Sequence, residues 1–394
     1  MSVPTLDRGT AEWSPLERCT GDPRTFLRET WGQRATVRAG IEPAGFDDLL
    51  TLEGIDRFLT TMSPRTPYFR LVRSGARIAE SEYTRSGRTG SRDVQGMADP
   101  ARIAALFDEG ATLVLQGLHR WSEPVTRFCR DLELELGHPC QVNAYITPPG
   151  AQGLDLHADP HDVFVLQAFG TKRWDVRPAP REPERPPLDR EVSPGDTVYM
   201  PAGTPHAAAS QDVVSGHLTV GVHVTPWRDV VREVSADALQ ALDGDVPAGW
   251  LDDPSGFAEE LATRLDILAA GLRAVDVRGV ADRRTERFLS NRVQLARGTV
   301  AERAARLSID DDSILYRRPD AICELRRRGD VLLVLLGDRK LLMPVRLEPA
   351  MLRIATSEDL AVRDLSPEIT NPKSRRVLAS RLVREGLLTT VRAS

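Results

Sequence analysis

Three residues in the middle of the chain have the types and the spacing of a metal site. His157 and Asp159 lie two residues apart, and His206 follows 49 residues beyond His157. Because residues i and i+2 of a strand project to the same side, His157 and Asp159 can converge on one metal. A histidine from a neighbouring strand then completes a two-histidine, one-carboxylate ligand set. This set leaves coordination positions open and is typical of non-heme Fe(II) oxygenases.

The spacing alone leaves alternatives for the third ligand. His206 follows a strand-like segment, Thr197–Met200, and a tight turn that would place it at the mouth of a barrel. His217 and His223 are in phase with each other on a later predicted strand, so both are rivals of His206. His161 is close to the first two ligands but out of phase with them, and we expect it in a loop.

An Fe(II) site of this kind needs a reductant for O2, and in many such enzymes 2-oxoglutarate fills that role. The far carboxylate of 2-oxoglutarate needs a cation and hydroxyl donors on neighbouring strands. Lys172 lies one predicted strand beyond His157 and Asp159 and is the best candidate for the cation. Asn143 and Tyr145 share a face of the preceding strand and are candidate donors to the same ligand.

Short strands separated by turn signals must position these residues, and they begin near Cys140. This pattern is typical of a β-barrel or a β-sandwich. The predicted strands are 141–147, 154–158, 162–169, 172–177, 197–200 and 216–224. The segment 178–187 is rich in proline and charge, so we expect a surface connection there.

Helices and isolated strands are predicted on both sides of the barrel. Residues 16 to about 59 are predicted to form helical segments, including 46–50 and 52–58 (with Thr51 as N-cap), around a short apolar piece at 35–38. Helices at 100–107 and 123–136 (ended by Gly137) and strands at 68–72 and 111–116 follow. Arg70 to Arg73 would line the cleft or, as the simpler interpretation, form a surface strand. Residues 229–308 are predicted to be helical, most clearly at 257–274 and 284–295. A short helix, strand pairs around 332–336 and 340–344, a helix at 373–385 and a strand at 387–391 then suggest a winged-helix-like module.

Composition limits the class of protein. A chain of 394 residues suggests two or three domains. The net charge of -5 argues against nucleic acid as a partner. The four cysteines form no CxxC pair, which indicates reduced structural thiols. The first ten residues lack the apolar core of a signal peptide, and no run of about 18 apolar residues follows. We therefore expect a soluble, cytoplasmic protein without a membrane partner.

Several short motifs in register resemble the cupin-type JmjC oxygenases, in particular their ribosomal-oxygenase branch, whose members hydroxylate histidine or arginine side chains of ribosomal proteins. The resemblance covers about residues 140 to 227. The motifs that carry it are QVNAYITPP at 141–149, Gly153 with His157-Ala158-Asp159, DVFVLQ at 162–167, GTKRW at 170–174, PGDTVYMP at 194–201, and His206.

The resemblance implies a double-stranded β-helix core within an α+β fold. It implies that Fe(II) is bound by His157, Asp159 and His206, and that Lys172 binds the C5 carboxylate of 2-oxoglutarate with Asn143 and Tyr145 nearby. Some bacterial members carry arginine in place of this lysine. Gly221 stands where some relatives have a small hydroxyl residue, so the co-substrate contacts of that strand, including any from His217, stay open.

The resemblance also implies a homodimer formed through the helical region, and a terminal winged-helix-like module that does not normally read DNA. The predicted domains are an oxygenase domain at 1–228, a helical dimerisation region at 229–308 and a winged-helix-like module at 309–394. The predicted function is Fe(II)- and 2-oxoglutarate-dependent hydroxylation of a side chain in a ribosomal-protein-like polypeptide. The alternatives are hydroxylation of a small molecule or a natural-product peptide, demethylation by the same chemistry, and a non-catalytic cupin that binds protein.

Overall fold

The computed structural model describes residues 13–40, 45–179, 184–292, 309–318 and 321–391. They divide into two compact units, 13–225 and 226–391. Within these ranges no helix combines the length and the apolar character needed to cross a membrane.

The first unit consists of a β-sandwich with helices on the N-terminal side. Its helices are α1 (Pro15–Thr20), α2 (Pro23–Glu29), α3 (Leu52–Thr61), α4 (Glu80–Tyr83), α5 (Pro100–Asp108) and α6 (Glu123–Leu136). Its strands are β1 (Thr36–Arg38), β2 (Phe69–Arg73), β3 (Ala76–Arg77), β4 (Thr84–Thr89), β5 (Arg92–Ala98), β6 (Thr112–Leu115), β7 (Cys140–Thr147), β8 (His157–Ala158), β9 (Asp162–Phe169), β10 (Lys172–Val176), β11 (Leu188–Val192), β12 (Thr197–Met200), β13 (Pro205–Ser210) and β14 (Ser215–Val222).

Two antiparallel sheets face each other in this unit. The major sheet has the strand order β1-β12-β9-β14-β7-β6-β2-β3, and the minor sheet has the order β11-β10-β13-β8. Strands β4 and β5 form a separate two-stranded ribbon. The non-sequential order of the two sheets is that of the expected double-stranded β-helix.

Alternation along the strands of the major sheet separates two environments. The even-numbered residues of β7, from Val142 to Ile146, belong to the large core shared with the N-terminal helices. On β9, Phe164 and Leu166 join that core, whereas Val163 and Val165 join the smaller core between the two sheets. This double burial explains why β9 is an almost continuous apolar run. The same alternation turns the odd-numbered residues of β7 toward the space between the sheets.

Most predicted elements of this unit are confirmed, and their local signals act as expected. The α6 helix ends at Gly137, which adopts the left-handed conformation with φ 69°. The Thr51 side chain accepts a hydrogen bond from the backbone N–H of Gly54 at 3.0 Å and so caps α3. The strands predicted at 162–169 and 197–200 have the bounds of β9 and β12.

Other predictions were wrong. Residues 154–156 are not in a strand, and β8 contains only His157 and Ala158. Residues 46–50 form a single turn instead of a helix. The segment around Arg70 is not a surface strand, because β2 is an inner strand of the major sheet with three of its five residues buried. Strands β11 and β13 were missed, since neither has alternating apolar residues.

The second unit begins with the helices α7 (Trp227–Gln240), α8 (Pro254–Arg273) and α9 (Val277–Ser290), as predicted for this region. The helix predicted at 284–295 starts earlier than expected, and residues 293–295 lie outside the described residues. The C-terminal part contains β15 (Ile314–Arg317), β16 (Glu324–Arg328), β17 (Val331–Leu335), β18 (Lys340–Pro344), α10 (Glu348–Thr356), β19 (Asp359–Ala361), α11 (Pro372–Arg384) and β20 (Leu388–Thr389). Two three-stranded sheets, β19-β15-β20 and β16-β17-β18, pack with α10 and α11 around a core of their own.

Candidate metal and co-substrate site

The minor sheet brings His157, Asp159 and His206 together. His157 on β8 is directly opposite His206 on β13, and Asp159 follows immediately after β8. The two imidazole centroids are 4.4 Å apart, and His206 Nε2 is 3.8 Å from Asp159 Oδ2. One ligand atom from each residue lies within 4.8 Å of the other two. In the described part of the chain this is the one group of three or more such side chains that fits a metal ion.

Backbone carbonyls orient both histidines. His157 Nδ1 lies 2.7 Å from the carbonyl oxygen of Asp155, and His206 Nδ1 lies 2.9 Å from that of Thr204. Because a carbonyl oxygen can only accept, each Nδ1 carries the proton and each Nε2 presents its lone pair. This is the arrangement in which outer partners fix the tautomer of metal-binding histidines. Burial also lowers the pKa of His206, which keeps its imidazole neutral and able to bind a metal.

The metal-ligand group opens into a cavity between the two sheets. The lining residues are Tyr145, Gly153, Leu154, His157, Asp159, Val163, Val165, Lys172, Trp174, Met200, His206, Ala208, His217 and Thr219. The apolar members limit the access of water, and the polar members project from both sheets.

Lys172 is a buried cation in this cavity. Only 2% of the residue is exposed, and its Nζ donates a hydrogen bond to Thr147 Oγ1 at 3.0 Å. Thr147 in turn accepts from Thr112 Oγ1 at 3.2 Å. Burial lowers the pKa of Lys172 to about 7, and no carboxylate pairs with it among the residues described. A buried cation that has only a hydroxyl partner fits a site for an anionic group.

Tyr145 and His217 form the wall on the major sheet. They are directly opposite each other on β7 and β14, and their rings stack with centroids 5.2 Å apart. Trp174 closes the other side, in edge contact with His217 at 5.4 Å. Burial, together with the charges of Lys172 and His206, holds the pKa of His217 well below its usual value. His217 is therefore a neutral wall residue beside Lys172.

The remaining candidates lie elsewhere. Asn143 shares the cavity face of β7, but its Oδ1 accepts from the backbone N–H of Gly117 at 3.0 Å, and it does not line the cavity. His223 packs edge-on against His161 with ring centroids 5.2 Å apart. A Cβ at Gly221 would lie 3.0 Å from His161 Nε2, so this position faces that histidine pair.

Two hydroxyl residues were missed at the level of sequence: Thr147, which contacts Lys172, and Thr219, which lines the cavity. Thr147 follows Tyr145 at i+2 and therefore shares its face, so the alternation that selected Tyr145 could also have selected Thr147. Thr219 supplies the cavity hydroxyl on β14 that was sought at Gly221. Because these positions differ by two residues, they lie on the same face of β14.

Comparisons with known proteins agree with this geometry. Residues 118–230 match the family model of the JmjC domain. The chain is 29% identical over 238 residues to ribosomal oxygenase 1 of Rattus norvegicus, which covers 56% of this chain and 38% of the rat protein. It is 32% identical over 175 residues to a bifunctional lysine-specific demethylase and histidyl-hydroxylase of Branchiostoma floridae, covering 42% of this chain and 28% of that protein. The chain thus spans less than two-fifths of the length of these curated relatives.

The solved structures show the same fold. The ribosomal oxygenase YcfD of Escherichia coli, in complex with cobalt and 2-oxoglutarate, superposes with a TM-score of 0.54 at 19% identity. The match covers 94% of this chain and 98% of the YcfD chain. Residues 118–230 therefore match the JmjC domain, and the chain has the fold of YcfD.

Proposed function

We propose that this protein is an Fe(II)- and 2-oxoglutarate-dependent oxygenase that hydroxylates an amino-acid side chain of a polypeptide. One observation carries the proposal: a single cavity contains the two histidines and one carboxylate of a possible metal site, together with a buried lysine that has no carboxylate partner among the described residues. The relatives named as ribosomal oxygenases support the same chemistry.

Each residue of the site has a proposed role. His157, Asp159 and His206 hold Fe(II), and Lys172, assisted by Thr147, binds the C5 carboxylate of 2-oxoglutarate. Fe(II) with 2-oxoglutarate and O2 supplies the oxidising power for an unactivated C–H bond. Tyr145, His217 and Trp174 shape the cavity and exclude water. The role of Asn143 in co-substrate binding stays a prediction.

The substrate class comes from the relatives. Because they are named ribosomal oxygenases and histidyl-hydroxylases, we propose a ribosomal protein as the substrate and stable hydroxylation as the outcome. Mass spectrometry of ribosomal proteins from cells with and without this gene tests the proposal. One or more proteins should differ by one oxygen atom, and the difference should be restored by the wild-type gene but not by Asp159→Ala.

The enzyme activity itself has a separate test. Purified protein supplied with Fe(II) should convert 2-oxoglutarate to succinate, and His157→Ala and Asp159→Ala should lose both bound metal and turnover. Turnover by these variants at the wild-type rate would remove the metal assignment. A protein that binds Fe(II) and 2-oxoglutarate without any turnover would instead be a binding module.

We also propose that the chain divides into an oxygenase domain at 1–228, a helical region at 229–308 and a winged-helix-like module at 309–394. We propose that the helical region forms a homodimer interface. Neither α7 nor α8 has a buried residue, and Val231 on α7 and Leu265 on α8 are each 55% exposed. Apolar helix faces of this extent favour a partner helix. A second copy of the chain fits, since Leu261, Leu265 and Leu272 fall on one face of α8.

The oligomeric state tests this interface. We expect Leu265→Glu to convert a dimer into a monomer in light scattering coupled to gel filtration. Thr263→Glu, on the opposite face of α8, is the matched control and should leave the dimer intact. A wild-type protein that is monomeric at micromolar concentration would contradict the proposal.

A further inference from the structure

The hairpin of β2 and β3 extends the wall of the cavity beyond Tyr145. Arg70 on β2 is opposite Val114 on β6, and Val114 is opposite Tyr145 on β7. Residues opposite each other on neighbouring strands project to the same face of a sheet. Since Tyr145 lines the cavity, Arg70 lies on the cavity side of the major sheet, two strands away at about 10 Å.

Alternation along β2 gives the same orientation independently. Phe69 and Leu71 belong to the large core on the helix side of the sheet. Arg70 lies between them and therefore points to the opposite face. It is close enough to the buried hydroxyls of Tyr83 and Tyr145 to offset part of the increase that burial causes in the pKa of each.

The guanidinium of Arg70 interacts with the Tyr145 hydroxyl, but within the described ranges it has no carboxylate partner of the kind that a neighbouring arginine has. Arg73, on the same strand, forms an ion pair with Glu109 at 2.8 Å. Arg70 is half-buried, and its Nε is shielded from solvent with no hydrogen-bond partner in the described ranges. The Nε–H donor of Arg70 is thus unused, and the guanidinium lies on the face of the sheet that carries Tyr145.

The turn of the hairpin fixes this strand to the metal-binding segment. Gly75 has φ 77°, and a Cβ there would lie 2.1 Å from Oδ2 of Asp155. Asp155 is the residue whose carbonyl oxygen holds His157. The β2–β3 hairpin therefore lies two strands from Tyr145, with its turn against the segment that carries His157.

We propose that Arg70 binds an acceptor oxygen of the polypeptide substrate and so positions the target side chain over the metal site. The inference rests on the proposed function and adds to it a residue that determines how the substrate is held. It separates two cationic roles: Lys172 is buried in the cavity beside Thr147, and Arg70 lies outside the cavity lining, beside Tyr145, where we propose that the polypeptide binds.

Steady-state kinetics of Arg70 variants on acid-extracted ribosomal proteins, with hydroxylation followed by mass spectrometry, test this inference. We expect Arg70→Ala to raise the KM for the protein substrate at least about tenfold, from the loss of a hydrogen bond to a charged donor. The KM for 2-oxoglutarate, the metal content and the uncoupled production of succinate should not change. Arg73→Ala is the control from the same strand and should retain the wild-type KM for the protein.

Two conservative variants identify the acceptor. If it is a carboxylate, Arg70→Lys keeps more of the affinity than Arg70→Gln, because the charge is retained. If it is a main-chain carbonyl, Arg70→Gln keeps as much as Arg70→Lys. An unchanged protein KM in Arg70→Ala, or a parallel loss of uncoupled turnover and thermal stability, overturns the inference.

Failure of the inference differs from failure of the proposed function. A wild-type protein without metal-dependent turnover of 2-oxoglutarate refutes the function itself. Wild-type turnover together with an unaffected Arg70→Ala refutes only the role of Arg70. Wild-type turnover without hydroxylation of any ribosomal protein refutes both the substrate class and the role of Arg70.

Discussion

Replacing Lys172 by an apolar residue should raise the stability of the protein and weaken its binding of 2-oxoglutarate. In the free protein its ammonium group is buried with only Thr147 as a partner, so burial lowers its pKa from 10.5 to about 7. The unfolded chain therefore binds more protons than the folded chain between about pH 7 and 10.5, and this lysine lowers the free energy of unfolding most at or below pH 7. Replacing it by an apolar side chain of similar length should stabilise the protein.

The size of the effect follows from the two pKa values. A pKa lowered from 10.5 to about 7 corresponds to about 4 kcal/mol at pH 7. Since the folded protein is already neutral at this lysine above pH 7 and the unfolded chain loses its proton near pH 10.5, the difference should shrink to under about 1 kcal/mol at pH 10. Urea denaturation of wild type and Lys172→Met at the two pH values measures it. Lys340→Met, at an exposed strand position, is the control and should change the free energy of unfolding by at most about 0.5 kcal/mol.

The same variant should bind 2-oxoglutarate poorly. Removing one partner of a buried ion pair typically costs about 3–5 kcal/mol, or a few hundred- to a few thousand-fold in affinity. We expect 2-oxoglutarate to raise the Tm of metal-loaded wild type and to leave that of Lys172→Met unchanged, with Lys172→Arg intermediate. A Lys172→Met protein that is less stable than wild type at pH 7, or that binds 2-oxoglutarate normally, would refute the reasoning.

Two further predictions concern the metal ligands. His206→Ala should lose bound metal because His206 is within ligand distance of Asp159, whereas His217→Ala should retain it. Metal analysis of both proteins shows which histidine is the third ligand. Loss of metal only in His217→Ala would reverse the assignment. Gly75→Ala should weaken metal binding about tenfold by displacing Asp155, which orients a ligand. Gly90→Ala has a similar positive φ with open space around it, so it carries the same backbone strain and should leave metal affinity unchanged; equal affinities in the two variants would contradict this coupling.

Alternation predicted the strands that are buried on one or both faces. Strand β9 was placed with its observed bounds because its apolar residues divide between two cores. Strand β11 was missed because it is an edge strand with one buried residue among five. Strand β13, with sequence PHAAAS, has small residues where a pattern needs large apolar ones. In both cases the strand forms by pairing with β10 and not from a preference of its own sequence.

The same distinction applies to the cavity. Lys172 and Tyr145 were accessible from the sequence because each belongs to a local motif. For Arg70 the sequence left two alternatives, the cleft or a surface strand, because its position depends on β2 joining the sheet beside β6, which is a pairing between distant segments. Alternation along β2 predicts that Arg70 and its two neighbours in the strand project to different faces of a sheet. It does not predict which sheet β2 joins or which face of that sheet lines the cavity.

Strand β8 is short and weakly paired, so a bound metal would stabilise its attachment to the minor sheet. Only two residue pairs, Pro205 with Ala158 and His206 with His157, connect β8 to the minor sheet, and β8 is the edge strand of that sheet. Two ladder pairs are a weak connection, because an isolated two-stranded pairing is marginally stable in water. A metal held by His157, Asp159 and His206 would cross-link this edge at the same point. Metal binding should therefore order the segment before His157, and with it the contact of Asp155 with the β2–β3 turn that holds Arg70 in place.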